Sequence, residues 1–313
     1  MLNIIAPLRP LSSAENAGLV VPMLIGLLRT MRPRQWTKNL LFVFPPLVFD
    51  SQLFDPDALA RVVLCSCLLI VISGSVYIIN DLADLEADRA HPRKKSRPLA
   101  AGDVSAPVAW IAAIILPTLA LAASNSVHQN LFWVLLVYFV LQVAYSFVLK
   151  HIVLLDILIV AAGFVLRVLA GGVVIDVQLS PWLYTSAGLL ALFLVIGKRR
   201  QEFSALGANA SYARPVYTHY NLALLDDMLR IVTASTMITY ILYTVEARTM
   251  VRYGENLGLL TVPIVIYGLF RYLYLIHVQN EGSAPDEVLL TDRPLQATIA
   301  VAALAYFVII YLL

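Results

Sequence analysis

Charge is what this sequence has little of. Asp, Glu, Lys and Arg make up 13% of its 313 residues, about half the usual share in a soluble domain. Hydrophobic residues supply 60% and the mean hydropathy is +0.81, which excludes the soluble classes and fits an integral membrane protein. The formal net charge of +2 is too small to argue for nucleic acid as a partner. Cysteine is nearly missing as well. Cys65 and Cys67 lie two apart in an apolar run, so on a helix they do not face each other, and both read as small core or lipid-facing residues. The stretch before Trp36 lacks a basic segment, an apolar run and a small-residue cleavage site in that order. No cleaved signal peptide is expected, and the first spanning helix is expected to act as the insertion signal.

Long apolar runs are what the sequence does have. Nine of membrane-crossing length fall at about 37–54, 58–82, 106–123, 129–149, 153–173, 181–197, 222–245, 257–277 and 295–313. Pro45 and Pro46 are expected to kink the first. Connections are mostly short, so the reading is an all-α integral membrane fold of nine transmembrane helices. Residues 1–31 form an N-terminal cytoplasmic or interfacial segment, and 32–313 a single transmembrane catalytic domain. With the N-terminus inside, Arg9, Arg29, Arg32, Arg34, Lys38, Arg89, Arg93, Lys94, Lys95, Arg97, Lys150, Lys198, Arg199, Arg200, Arg214, Arg230, Arg271 and Arg293 fall at the cytoplasmic side. Only Arg61, Arg248 and Arg252 are left outside. The positive-inside rule then places the C-terminus outside and favours nine helices over eight or ten.

The few charges are concentrated. Behind the second run comes "NDLADLEADRAHPRKKSRPLAAG". Asp81, Asp84 and Asp88 are spaced i, i+3, i+7, and Asn80 joins them on one helical face, while Glu86 points elsewhere. Three carboxylates on one stripe repel unless a cation sits among them, and an all-oxygen set with an amide suits Mg²⁺ shared with substrate phosphates. The plainer alternative is a solvated acidic helix end, but ionisable groups at a membrane mouth are functional by default. Arg93, Lys94, Lys95 and Arg97 follow, so a polyanion, most economically a diphosphate, is the matching ligand. Arg97 stands before Pro98, whose fixed turn gives it a direction.

A second constellation is "YSFVLKHIVLLDILIVAAGFVLRVLAGG". Tyr145 and Lys150 precede a cytoplasmic turn, Asp156 opens the next helix, and Arg167 lies about three turns deeper. An Asp and an Arg in an apolar helix should face a cavity or partners. Asp156 is read as a ligand for a second metal ion or as a charge complementing the helix dipole. His151 is read as an interfacial bystander, and Gly171 and Gly172 as sites of close helix packing. A third set, "GKRRQEF", offers Lys198, Arg199 and Glu202; Lys198 and Glu202 form either an i, i+4 surface pair or the far wall of an anion site. In "NEGSAPDEVLLTDRPLQ", Asp286, Glu287, Asp292 and Arg293 are expected to order a loop over the site mouth.

With these residues assembled, the chain resembles the UbiA superfamily of membrane prenyltransferases, from about Arg32 onward. The NDxxDxxxD motif is carried by Asn80, Asp81, Asp84 and Asp88. The resemblance implies nine helices, a cytoplasmic-facing active site, and a prenyl diphosphate bound through Mg²⁺ for transfer to an aromatic or quinone-precursor acceptor. The second motif departs from that pattern, because Asp156 is followed by "ILIV" and then Arg167 where a second acid is usual. Together with "RPRQWTKN", "AGG", "GKRRQEF" and "LLTDRPLQ", this is similar to a branch whose donor is phosphoribosyl diphosphate and whose acceptor is a long polyprenyl phosphate in cell-wall synthesis. A lipid phosphate is already an anion and needs cations rather than a base. No His or Glu is placed as such a base, and Lys38, Lys150, Arg167, Lys198 and Arg199 supply the surplus of cations.

The expected machinery is therefore Asp81, Asp84 and Asp88 on Mg²⁺, assisted by Asn80, with Asp156 on a second ion. Arg97, Lys150, Lys198 and Arg199 grip phosphates, Tyr145 contacts the donor, and Arg34, Lys38 and Arg167 hold the acceptor phosphate or close the cavity. The membrane is expected to be the plasma or inner membrane.

Overall fold

Helix starts are written plainly in this chain: an oxygen-bearing cap precedes a proline or an apolar run, satisfying backbone donors that the helix itself cannot. Asp55 accepts from the amides of Asp57 and Ala58 ahead of the helix at Pro56. Ser180 accepts from Trp182, Asn221 from Leu224, and Asp292 from Leu295.

The computed structural model describes residues 13–92, 94–207, 214–279, 288 and 291–313. Within them run helices α1 (Ser13–Thr30), α2 (Thr37–Val43), α3 (Pro45–Phe49), α4 (Pro56–Ala83), α5 (Leu85–Ala90), α6 (Pro98–Ala101) and α7 (Ala106–Val127). There follow α8 (Gln129–Phe147), α9 (Leu155–Val174), α10 (Pro181–Leu206), α11 (Leu222–Glu246), α12 (Val262–His277) and α13 (Arg293–Phe307). A two-residue hairpin, Val251–Arg252 with Glu255–Asn256, turns at Gly254, whose φ of 82° suits glycine.

Among the described residues, eight helical stretches are long and apolar enough to cross a membrane. Their outer faces are apolar where lipid would lie: Ile114, Leu119, Trp133, Val137 and Ile231 are exposed. The protein is a multi-pass membrane protein. The ninth segment, first in the chain, differs from the expected single run at 37–54. It consists of α2 and α3, joined at Phe44 in front of Pro45 and Pro46, because proline cannot donate the bond that would continue the ladder. The segment 1–31 also contains more than a tail. Its α1 leads to Met31, which is buried against Gly74 of α4. Arg9 lies outside the described residues.

Among lipid tails the pull between helices comes from close packing rather than from water exclusion, so small residues sit where helices meet. Gly171 of α9 illustrates the limit: a Cβ there would lie 2.1 Å from the Val43 carbonyl oxygen of α2. Gly172 meets Leu179, and Gly197 meets Tyr272. Of the two expected packing glycines, Gly171 packs against another helix, whereas Gly172 packs against Leu179 of the connection to α10. One core gathers Val62, Leu69 and Ile72 of α4 with Leu131 and Leu135 of α8 and Ala170 of α9. A second gathers Ile157 of α9, Phe193 of α10, Leu225 of α11 and Leu275 of α12. Helix α9 belongs to both: its start, with Asp156 next to Ile157, lies at the second core, and its end, at Ala170, lies in the first. Cys65 is buried and Cys67 exposed, each a free thiol.

Candidate active site

The acid motif does not continue one helix to its end. Helix α4 stops at Ala83, Asp84 takes φ −97° and ψ 7°, and α5 begins at Leu85. The helical step nevertheless persists, since the Asp84 amide donates to the Asn80 carbonyl and the Asp88 amide to the Asp84 carbonyl. This break splits the expected single stripe into two sides. Asp81 and Asp88, 3% and 2% exposed, both accept from Nη1 of Arg97. Asp84 turns to Lys150, whose Nζ donates to both of its carboxylate oxygens at 2.9 and 3.3 Å, and Asn80 Nδ2 donates to it at 3.4 Å. Glu86 points away and pairs with Arg89. Arg97 owes its direction to the turn before Pro98, where it caps α6 with extended backbone angles. Lys94 Nζ adds a longer contact to Asp88 at 3.9 Å.

Arg32 is a site residue the sequence reading passed over. Its Nη2 donates to Asp81 Oδ1 at 2.7 Å, and its backbone is left-handed, at φ 54°. For a residue with a Cβ that conformation costs about 1 kcal/mol or more and tends to mark function. Spacing could not reveal the contact, because 49 positions separate the partners.

The second constellation closes around Asp156, fully buried in the first turn of α9. Its Oδ1 accepts from the Tyr220 hydroxyl at 2.7 Å, and its Oδ2 lies 3.3 Å from Arg199 Nε. That nitrogen and Oδ2 have no other partner, so the ion pair is what compensates the buried carboxylate. Arg199 also donates to Glu202 at 3.2 Å and to the Tyr145 hydroxyl at 3.3 Å. The expected Lys198–Glu202 pair is not formed. Glu202 accepts instead from Arg199 and Tyr217, with Arg214 Nε at 3.4 Å. Arg199 competes from the next position of α10 and Tyr217 and Arg214 from the segment after it, and Lys198 stands half-buried. Burial pushes the phenols of Tyr217 and Tyr220 above their ordinary values, and at Tyr220 the bond to Asp156 adds to the shift. Tyr220 Oη also accepts the Leu154 amide at 2.8 Å, holding the start of α9.

Arg167 lies apart from both clusters, 11 residues along α9 from Asp156, or roughly 16 Å at the helical rise. It is caged by neutral acceptors: Asn39 Oδ1, the Gly163 carbonyl and the Tyr138 hydroxyl, at 2.7, 2.8 and 2.7 Å. The rings of Tyr138 and Phe164 cover it at 4.9 and 5.2 Å. Asn39 in turn donates to Ser73, so this arginine ties α2, α8 and α9 together with α4. Arg34 is exposed, Lys38 half-buried and His151 exposed. Asp292 binds Arg271 and caps α13 rather than reaching a ligand site, and the hydrogen bond from Arg271 holds its carboxyl below the ordinary range. Arg93, Asp286 and Glu287 lie outside the described residues.

The donor set Asp81, Asp84, Asp88 and Asn80 is all oxygen and suits a hard divalent ion. In the conformation seen, no three acidic, histidine or cysteine side chains among the described residues converge on one point, because Arg97 stands between Asp81 and Asp88 and Lys150 holds Asp84. The chemistry fits the ion, with basic side chains now in the compensating role. Asp156 is enclosed by Arg199 and Tyr220, which suits the holding of an arginine better than the expected second ion.

These features define a membrane transferase of the prenyltransferase type, and a family comparison agrees. Residues 40–291 match the UbiA prenyltransferase family, and the chain belongs to it. It is 34% identical over 295 residues to the decaprenyl-phosphate phosphoribosyltransferase of Mycolicibacterium smegmatis, covering 90% of this chain and 91% of that one. To the protein of the same name from Mycobacterium tuberculosis it is 30% identical over 278 residues, covering 88% and 90%. A solved UbiA homolog from Archaeoglobus fulgidus bound to DMAPP and Mg²⁺ superposes with a TM-score of 0.70 at 21% identity, over 92% of this chain and 99% of that one. The fold and the enzyme class expected from the motif are thereby established.

Proposed function

We propose that this protein transfers the 5-phosphoribosyl group of phosphoribosyl diphosphate to a long-chain, decaprenyl-like polyprenyl phosphate and releases pyrophosphate. One observation carries the reading: cations outnumber acids in both halves of the site. Arg32, Lys94, Arg97 and Lys150 face Asp81, Asp84 and Asp88. Arg199, Arg214 and Lys198 face Asp156 and Glu202. Two surplus charges at two places suit a donor with phosphate at both ends and an acceptor that is itself a phosphate. The names of the mycobacterial relatives support the same substrates.

In this reading the leaving diphosphate lies against Arg97 and Lys150, with Asp81, Asp84, Asp88 and Asn80 holding Mg²⁺. The bound ion would neutralise charge as the glycosidic C–O bond breaks. The acceptor phosphate, already ionised, supplies the oxygen that forms the new bond to the ribosyl carbon, so no proton needs to be removed. Arg199, fixed by Asp156 and carrying Tyr145, and Lys198 face the phosphate that stays on the sugar. Arg34 and Lys38 belong to the segment that carries Arg32 onto Asp81 and are assigned to the acceptor side. Arg167 serves by closing the cavity floor. The basic ends then face the cytoplasm across the plasma or inner membrane, with the N-terminus inside and the C-terminus outside.

Purified protein incubated with Mg²⁺, labelled phosphoribosyl diphosphate and decaprenyl phosphate should yield a labelled lipid and pyrophosphate, and Asp84→Ala should abolish both. Prenyl transfer from a polyprenyl diphosphate to an aromatic acid, with no labelled ribosyl lipid, would point instead to the majority chemistry of the family.

A further inference from the structure

The acids and bases of the first half differ in freedom. Asp81 and Asp88 are 3% and 2% exposed and fixed on α4 and α5, whereas the side chains of Arg32 and Arg97 are 33% and 28% exposed. Both arginines reach inward from the surface, Arg32 from a turn before α2 and Arg97 from the cap of the one-turn α6. Arg97 joins Asp81 to Asp88, and Arg32 shares Asp81 with it. Four cations around three carboxylates leave no net negative charge to draw in a free divalent ion. The same guanidinium groups are matched in shape and charge to phosphate oxygens.

We infer that Arg97 and Arg32 exchange partners on loading: they compensate Asp81 and Asp88 in the empty site and pass to the donor's diphosphate when the metal takes the carboxylates. The inference rests on the diphosphate part of the proposed function, which sugar and prenyl donors share. Metal and diphosphate therefore bind as a pair. Each removes a penalty the other would face alone: the diphosphate accepts the displaced arginines, and the metal accepts the freed carboxylates. Such coupling is reciprocal, so pyrophosphate tightens metal binding by the factor by which metal tightens pyrophosphate binding.

The test is Mn²⁺ binding to the full chain in detergent, followed by the resonance of free Mn²⁺, alone and with pyrophosphate, corrected for Mn²⁺ complexed in solution. In wild type, pyrophosphate should tighten Mn²⁺ binding by about tenfold or more, within the usual span of site-site coupling. Arg97→Gln should bind Mn²⁺ alone about fivefold more tightly than wild type and lose most of the gain from pyrophosphate. Arg97→Lys, which keeps the charge on a shorter side chain without the planar fork, should fall between and guards against a misfolded Gln variant. Equal Mn²⁺ affinity with and without pyrophosphate, or variants no tighter than wild type, overturns the exchange. Because pyrophosphate is common to both donors, failure of the ribosyl assay alone leaves this result untouched, whereas no Mn²⁺ binding even with pyrophosphate overturns the exchange together with the metal assignment.

Discussion

Lys150 Nζ lies 2.9 Å from Oδ1 of Asp84, across 66 positions of sequence. The bond joins the end of α4 to the turn after α8, so a side chain of the second constellation reaches the acid motif directly. Lys150→Met should lower kcat/KM for the donor by about a hundredfold, near 2.7 kcal/mol at a charge-assisted bond. Lys150→Arg should restore part of it. Initial rates at varied donor concentration provide the check, and an unchanged kcat/KM would falsify the assignment of Lys150 to the donor.

The buried Asp156–Arg199 pair makes a stability claim. Arg199→Met strands a fully buried carboxylate and should cost about 3–5 kcal/mol, whereas removing both charges in Asp156→Asn/Arg199→Met should cost clearly less. Thermal denaturation in detergent measures this. Additive losses in the double variant would mean that the two charges do not compensate each other.

Tyr220 carries a pH dependence. Its phenol is raised in the folded state by burial and by the bond to Asp156, so its stabilising contribution is complete below the unfolded value of about 10. It is lost as pH rises from there towards the folded value, because the unfolded chain ionises first. Between pH 8 and pH 11 the Tm of wild type should therefore fall more steeply than that of Tyr220→Phe. Parallel curves would remove Tyr220 from the alkaline limb.

Gly171 tests the close approach of α9 and α2. A Cβ would stand 2.1 Å from the Val43 carbonyl, and backbone cannot yield as a flexible side chain can. Gly171→Ala should lower stability by about 1–3 kcal/mol, in the range of overpacked cores. Gly207→Ala meets no neighbour among the described residues and serves as the contrast, although its φ of 50° adds backbone strain. A loss at position 171 no larger than at 207 would contradict the packing argument.

What was legible in the sequence followed from what is local. Apolar length located the spans, and Asp84 and Asp88 at helical spacing located the acid motif. Proline after Arg97 gave that side chain its aim. What was not legible depended on arrivals from elsewhere. Arg32 reaches Asp81 through a left-handed turn that no hydrophobic pattern encodes. Tyr217, Tyr220 and Arg214 come from a short segment between α10 and α11: Tyr220 reaches Asp156, while Tyr217 and Arg214 join Arg199 on Glu202 and leave Lys198 out. Neighbours at i, i+4 state who can meet, and they do not state who else is bidding for the same carboxylate. Arg167 shows the same limit, since an expensive charge in an apolar helix was answered by the amide of Asn39 and two aromatic rings.

The divided first segment has a consequence for the lipid around it. Helices α2 and α3 contain seven and five residues, so Thr37–Phe49 rises only about 20 Å, against roughly 30 Å of hydrocarbon in a typical bilayer. Beyond it the chain turns through Ser51 to Phe54, pinned by the Tyr311 hydroxyl, which donates to the Val48 carbonyl and accepts the Leu53 amide. Where that turn meets lipid, thinning or tilting of the bilayer would close the difference. Reconstitution into bilayers of shorter acyl chains should relieve this mismatch, so bilayer thickness becomes a variable that acts on the very segment carrying Arg32 to Asp81.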